Sequence, residues 1–241
     1  MNNSRIKIGA IALGAMFLAA CNGSSVNDDD NNSDQDAQFE ITTTNLTNGQ
    51  PMSPVAVIMH SSGFNNFIDG EVASVAVETL AEAGDNSQVL SEAKNASQHI
   101  VSDSAGAVAP SEIGTTLTLD VPQAQLSDLR LSVMSMLIRT NDGFTGLNAT
   151  DISNMAVDSS KMFYAPTWDA GTELDDEVAV NMPGTGGEGF NATRNDRIDR
   201  VRIHNGVVTN ASSEFGLSTS DLVETDRFLN PTSRVVVKRT R

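Results

Sequence analysis

From residue 39 to the C-terminus the chain is built of short apolar runs separated by turn signals. That pattern restricts it to a β-sandwich or barrel. Phe39, Ile41 and Thr43 alternate with Glu40, Thr42 and Thr44, the period of a strand with one buried face. Asn48-Gly49 marks a turn. Leu117, Leu119 and Val121 repeat the alternation, and residues 55–59, 161–165 and 235–238 are further short strands. Residues 129–138 are apolar on both faces and read as a central strand. Residues 197–208 read as a hairpin turning at Asn205-Gly206. One region departs from this pattern. Val72, Val75, Ala76, Leu80 and Ala83 have near-helical spacing, which predicts a helix over 71–83 ended by Gly84. Residues 87–94 continue as a second short helix with Ser87 as its cap. The expected fold is mainly β, an antiparallel β-sandwich with one or two short helices in an inserted segment packed on one edge.

The N-terminus constrains location. Arg5 and Lys7 precede an apolar stretch over 8–20, which ends Leu18-Ala19-Ala20-Cys21. A positive head, a short apolar stretch and small residues before the cut describe an export signal. The stretch is well short of the roughly 20 residues that span a membrane. Leu-Ala-Ala-Cys resembles the lipobox of bacterial lipoproteins, which implies a signal peptide over 1–20 and lipid on Cys21. Asn22 after the cysteine favours an outer-membrane lipoprotein, by analogy with Gram-negative sorting. Residues 21–38 carry Asp28, Asp29, Asp30, Asp34 and Asp36 among Asn and Ser, and read as a disordered acidic tether. Its Asp28-x-Asp30-x-Asn32 pattern lacks the glycine and distal glutamate of a calcium loop. The domain is then 39–241. Cys21 is the only cysteine, so no disulfide can staple that domain and its core must hold it.

A formal net charge of −16 argues against nucleic acid and anionic lipid headgroups as partners. Arg234, Lys238, Arg239 and Arg241 form a basic patch that reads as a solvated strand edge.

Two acidic segments follow predicted strands. One is Arg139-Thr140-Asn141-Asp142-Gly143-Phe144-Thr145-Gly146-Leu147-Asn148, read as a loop. The other is Thr167-Trp168-Asp169-Ala170-Gly171-Thr172-Glu173, followed by Asp175, Asp176 and Glu177. Gly171 permits a sharp turn that points Asp169 and Glu173 at one place, with Asp142 arriving from the adjacent loop. Carboxylates gathered there repel unless a cation separates them or some take up protons. Oxygen ligands without His or Cys select calcium over zinc or copper. From composition alone the same acids read first as charges that solubilise two loops.

The stretch from Phe39 to the C-terminus resembles the spondin N-terminal domain family in a bacterial lipoprotein form. The resemblance runs in order through Phe39-Glu40-Ile41-Thr42, Asn45-Leu46-Thr47-Asn48-Gly49-Gln50-Pro51, Met59-His60 and Leu80-Ala81-Glu82-Ala83-Gly84-Asp85. It continues through Leu131-Ser132-Val133-Met134-Ser135-Met136-Leu137 and the two acidic motifs, its most specific parts. It implies a calcium-binding β-sandwich, similar to calcium-dependent lipid-binding sandwich domains, with Asp142, Asp169 and Glu173 as the metal carboxylates. This chain departs from the animal relatives in having no disulfides and in carrying Glu where their third acid is typically Asp. Asp175, Asp176 and Glu177 stand close enough to compete as ligands.

Other motifs lead less far. Gly184-Thr185-Gly186-Gly187-Glu188-Gly189 fits a dinucleotide pattern, but Pro183 before it and Asn191-Ala192-Thr193 after it suit a loop. His60 beside Ser61 and Ser62 makes a poor dyad, because neighbours on a strand face opposite ways. His204, next to the Asn205-Gly206 turn, reads as exposed. Trp168, the only tryptophan, packs beneath the acidic loop or stacks on a ligand such as a sugar. The expected function is a non-enzymatic adhesion or binding module with a protein or glycan partner. The alternatives are a passive envelope protein that uses calcium for stability, or a hydrolase built on the carboxylates.

Overall fold

The computed structural model describes residues 35–211 and 219–241. The signal segment, Cys21 and the tether up to residue 34 lie outside the described residues. Residues 37 and 38, expected in the tether, belong to the first strand instead. β1 (Ala37–Asn45) pairs Ala37 with Val121 and runs antiparallel to the last strand, and Ala37 is fully buried. β2 (Val55–Ser61) leads to two helices, α1 (Val75–Ala83) and α2 (Ser87–Asn95). Then come β3 (His99–Ala105), β4 (Leu117–Val121), β5 (Leu129–Met136), β6 (Gly143–Asp151), β7 (Ser160–Ala165), β8 (Thr167–Asp169), β9 (Arg202–Ile203) and β10 (Ser233–Arg239).

The strands form two antiparallel sheets, a β-sandwich. One has four strands in the order β4-β1-β10-β7, and the other has six in the order β3-β2-β5-β6-β8-β9. Phe39, Ile41, Val235 and Val237 from the small sheet meet Val57, Met59, Leu131 and Val133 from the large one. The helices cover the opposite face of the large sheet. There Val77, Leu80, Ala81 and Val89 pack on Ala56, Ile58, Met134 and Phe144. Both faces of β2 and β5 are therefore buried, which is why these strands read as continuous apolar runs rather than alternations. The helices lie on the sheet face, not on an edge as expected.

Local chemistry sets the helix ends. Ser74 caps α1, its Oγ accepting from Val77 N at 3.3 Å, so the helix starts four residues later than its apolar spacing suggests. Gly84 ends it in the left-handed conformation (φ 69°), its N–H donating to Leu80 O. The cap of α2 is Asn86 rather than Ser87, and Asp85 Oδ1 accepts from Ser87 N at 2.8 Å.

Three further expectations change. The stretch after residue 142 is a strand, β6, not a loop. The hairpin over 197–208 reduces to Arg202–Ile203, because Gly206 N–H donates to the His204 ring and not across a ladder. β10 lies inside its sheet, between β1 and β7, so Arg234 and Lys238 stand half-buried on its outward face and not at an edge, while Arg239 ends the strand in register with Phe39. Among the described residues no helix is long and apolar enough to cross a membrane.

Candidate metal centre

The β5–β6 turn places the first carboxylate. Leu137 N–H donates to Gly143 O at 2.9 Å, and Thr140 Oγ1 both donates to Leu137 O and accepts from Gly143 N. A side chain at Gly143 would meet Thr140 Oγ1 at 2.6 Å, so the turn needs glycine there. Asp142 is thereby held fully buried between this turn and the chain leaving β8. Its Oδ2 accepts from Thr172 N (2.7 Å), Thr172 Oγ1 (3.1 Å) and Glu173 N (3.0 Å). Its Oδ1 is buried without a hydrogen-bond partner.

Asp169, the last residue of β8, pairs with Gly143 and Arg202 in the sheet. Its Oδ1 accepts from Gly171 N at 2.7 Å. Gly171 has φ +75°, and a Cβ on it would lie 2.4 Å from the backbone of Arg200, so only glycine allows this turn to pack against that segment. The turn delivers Asp175, not Glu173, to the other two acids. Asp142, Asp169 and Asp175 bring carboxylate oxygens within 4.8 Å of one another.

The acids 173–177 therefore have separate fates. Glu173 gives its backbone N–H to Asp142, and among neighbouring acids Glu82 of α1 acts most strongly on its carboxyl. Asp176 accepts from Asn141 Nδ2 (3.0 Å), Asn181 Nδ2 (2.7 Å) and Val178 N, and serves as a loop brace. Glu177, at φ +51°, accepts from Val208 N at 3.1 Å.

Three partners had no signal in the sequence. Arg202 Nη2 lies 2.6 Å from Asp169 Oδ2, 2.7 Å from Asp196 Oδ2 and 3.9 Å from Asp175 Oδ2. His204, expected at the surface, is buried, with Nε2 3.7 Å from Asp175 Oδ1. Its Nδ1 accepts from Gly206 N–H, so the neutral ring carries its proton on Nε2 and offers the carboxylates a donor, not a metal-ligating lone pair. Burial holds its pKa down at about 4.

The electrostatics state the problem this site has to solve. Burial, then the neighbouring Asp142 and Asp175, pushes Asp169 up to about 9. Burial and Asp175 raise Asp142, and burial raises Asp175. Burial followed by Glu82 raises Glu173 to about 8, and burial raises Glu82 and Glu177 to about 7. One guanidinium, which reaches Asp169, Asp175 and Asp196, is the only cation against these and Asp142 in the contacts described, so at neutral pH the cluster either holds protons or holds a cation. Asp142, Asp169 and Asp175 are the residues that would hold a metal ion, with Asp142 Oδ1 already free of other bonds. Their all-oxygen chemistry fits a hard divalent cation.

Fold and site together define a β-sandwich with a buried carboxylate cluster at the rim of its larger sheet. Residues 43–188, more than half the chain, match the family described as Spondin_N, and the chain belongs to that family. No curated protein matches it. The matched stretch contains Asp142, Asp169 and Asp175, whereas Asp196, Arg202 and His204 lie beyond it.

Proposed function

We propose that this chain is a non-enzymatic adhesion or binding module whose Asp142, Asp169 and Asp175 carboxylates hold calcium. The supporting observation is the convergence of these three acids around the unpartnered Asp142 Oδ1. The ion fixes the turn after β5 and the chain after β8 in one arrangement and leaves the neighbouring loops rigid for a partner. Spondin_N domains are generally non-catalytic binding modules, which favours this over a hydrolase. The lipobox-like Leu18-Ala19-Ala20-Cys21 supports attachment to the cell envelope through lipid on Cys21.

Thermal unfolding of the full chain in EDTA, calcium or magnesium tests the ion, with an Asp142→Asn/Asp169→Asn variant alongside. Calcium raises the parent's Tm by several degrees and leaves the variant unmoved. Equal curves in calcium and EDTA for the parent would remove the metal from the proposal. Metabolic labelling with palmitate, compared between the parent and Cys21→Ser, tests the anchor; equal label in both would remove it.

A further inference from the structure

We propose that the cleft beside Trp168 binds a neutral saccharide. This rests on the reading of the domain as a binding module and names the class of its partner. The cleft has a volume of about 400 Å³ and lies between the chain entering α1, β6 and β8. Trp168 and Asp169 are consecutive in a strand and so point to opposite sides. Trp168 packs with the helix-covered face of the large sheet, away from the carboxylate cluster.

Three features of the cleft specify its ligand. The first is a rigid aromatic platform. Trp168 is half-buried, its Nε1 donates to Gly146 O at 3.1 Å, and its ring leans on Phe67 at 5.1 Å. A ring held in this way stacks on a ligand at little entropic cost. The second is unspent polar groups among the lining residues. Asp69 is exposed and has no hydrogen bond or ion pair among the described residues, and Asn65 lends only its Oδ1, to Asn148 at 3.3 Å. A carboxylate and an amide beside an aromatic face match the alternating hydroxyls and C–H faces of a sugar ring. The third is Asn66, flanked by two lining residues and 6% exposed, with neither side-chain polar atom hydrogen-bonded. Its amide lies beside the lining and not in it, so a water or a ligand group reaching past Asn65 completes its bonds.

The charge excludes the nearest rivals. A net charge of −16, with Asp69 at the rim, repels anionic glycans. Caged recognition of an ammonium group uses several aromatic faces, and here Phe67 is buried behind Trp168 with 6% exposed, which leaves one platform. The volume accommodates one or two pyranose rings against Trp168, with the exposed Ile68 among the lining side chains.

Trp168 is the only tryptophan, so its emission reports on this cleft alone. The experiment titrates the full chain with neutral oligosaccharides of glucose, mannose and N-acetylglucosamine, with tetramethylammonium as the cationic control. At least one sugar series produces a saturable change in emission. Asp69→Ala, on an exposed residue without partners, weakens it by about tenfold, the loss of one charge-assisted hydrogen bond. Its calcium-dependent Tm shift stays that of the parent. Silence with every sugar overturns the proposal, and so does a response to tetramethylammonium alone. A saccharide response without any calcium effect on Tm upholds the cleft and removes only the cation from the proposed function.

Discussion

The inter-sheet core and the acidic rim belong to one sandwich and are built on opposite terms. In the core, Phe39, Leu131 and Val237 lose water and nothing else, and each neighbour supports the next. At the rim, Asp142, Asp169 and Asp175 are driven together by the fold around them and oppose one another once charged. The core is sufficient in itself, whereas the rim is complete only with protons or a cation. The difference teaches that burial alone does not define a core: what matters is whether the buried groups need a partner from outside.

The largest expected effect comes from the core. Leu131→Ala removes a fully buried side chain and costs about 2–5 kcal/mol of unfolding free energy. Chemical denaturation in EDTA and in calcium should show the same deficit, because the cavity and the rim share no partner. A deficit that calcium erases would mean that core and rim are one cooperative network.

Next is the ion itself. Calcium at a hundredfold excess over its Kd adds about 2.7 kcal/mol by linkage. Asp175→Asn loses most of that increment. If Asp175→Asn keeps it and Glu173→Gln loses it, the third ligand is Glu173 and the turn rearranges on binding.

Acidity separates the regions without mutation. In EDTA, Asp169 at about 9, Glu173 at about 8, and Glu82 and Glu177 at about 7 all lie above their unfolded values near 4. Across that interval the folded state holds more protons than the unfolded state. Its stability is therefore greatest below about pH 4 as far as these groups are concerned, and it falls as pH rises toward 9. Saturating calcium removes the contribution of Asp169, so calcium binding should release protons and tighten with pH. Calorimetry in buffers of different ionisation enthalpy measures that release; a value of zero would place the ion elsewhere.

The smallest effect is the most discriminating. Glu173→Gln changes calcium affinity by less than about tenfold, since that residue holds Asp142 through its backbone N–H, which the substitution retains. Titration calorimetry beside Asp175→Asn reads the contrast directly.

Much of this was legible in residue order. The period-two runs at 39–44 and 117–121 are β1 and β4, and the two-faced apolar run at 129–138 is the strand at the centre of the large sheet. The helical spacing around Leu80 and the stop at Gly84 hold as well. β3 was missed because its residues are mostly half-exposed and polar, and β6 because Asn141-Asp142-Gly143 looks like the middle of a loop when it is the turn into a strand.

By itself, the sequence determined the class of fold, the absence of disulfides and the two acidic segments, since each of these follows from local period or composition. Only the tertiary structure decided which acid of 173–177 reaches Asp142 and Asp169, and that Asp196, Arg202 and His204 join them. The physical reason is that a turn with φ +75° at Gly171, and further braces at Asp176 and Glu177, send neighbouring carboxylates in different directions. Which of them converge depends on backbone turns and distant hydrogen bonds that spacing along the chain does not encode.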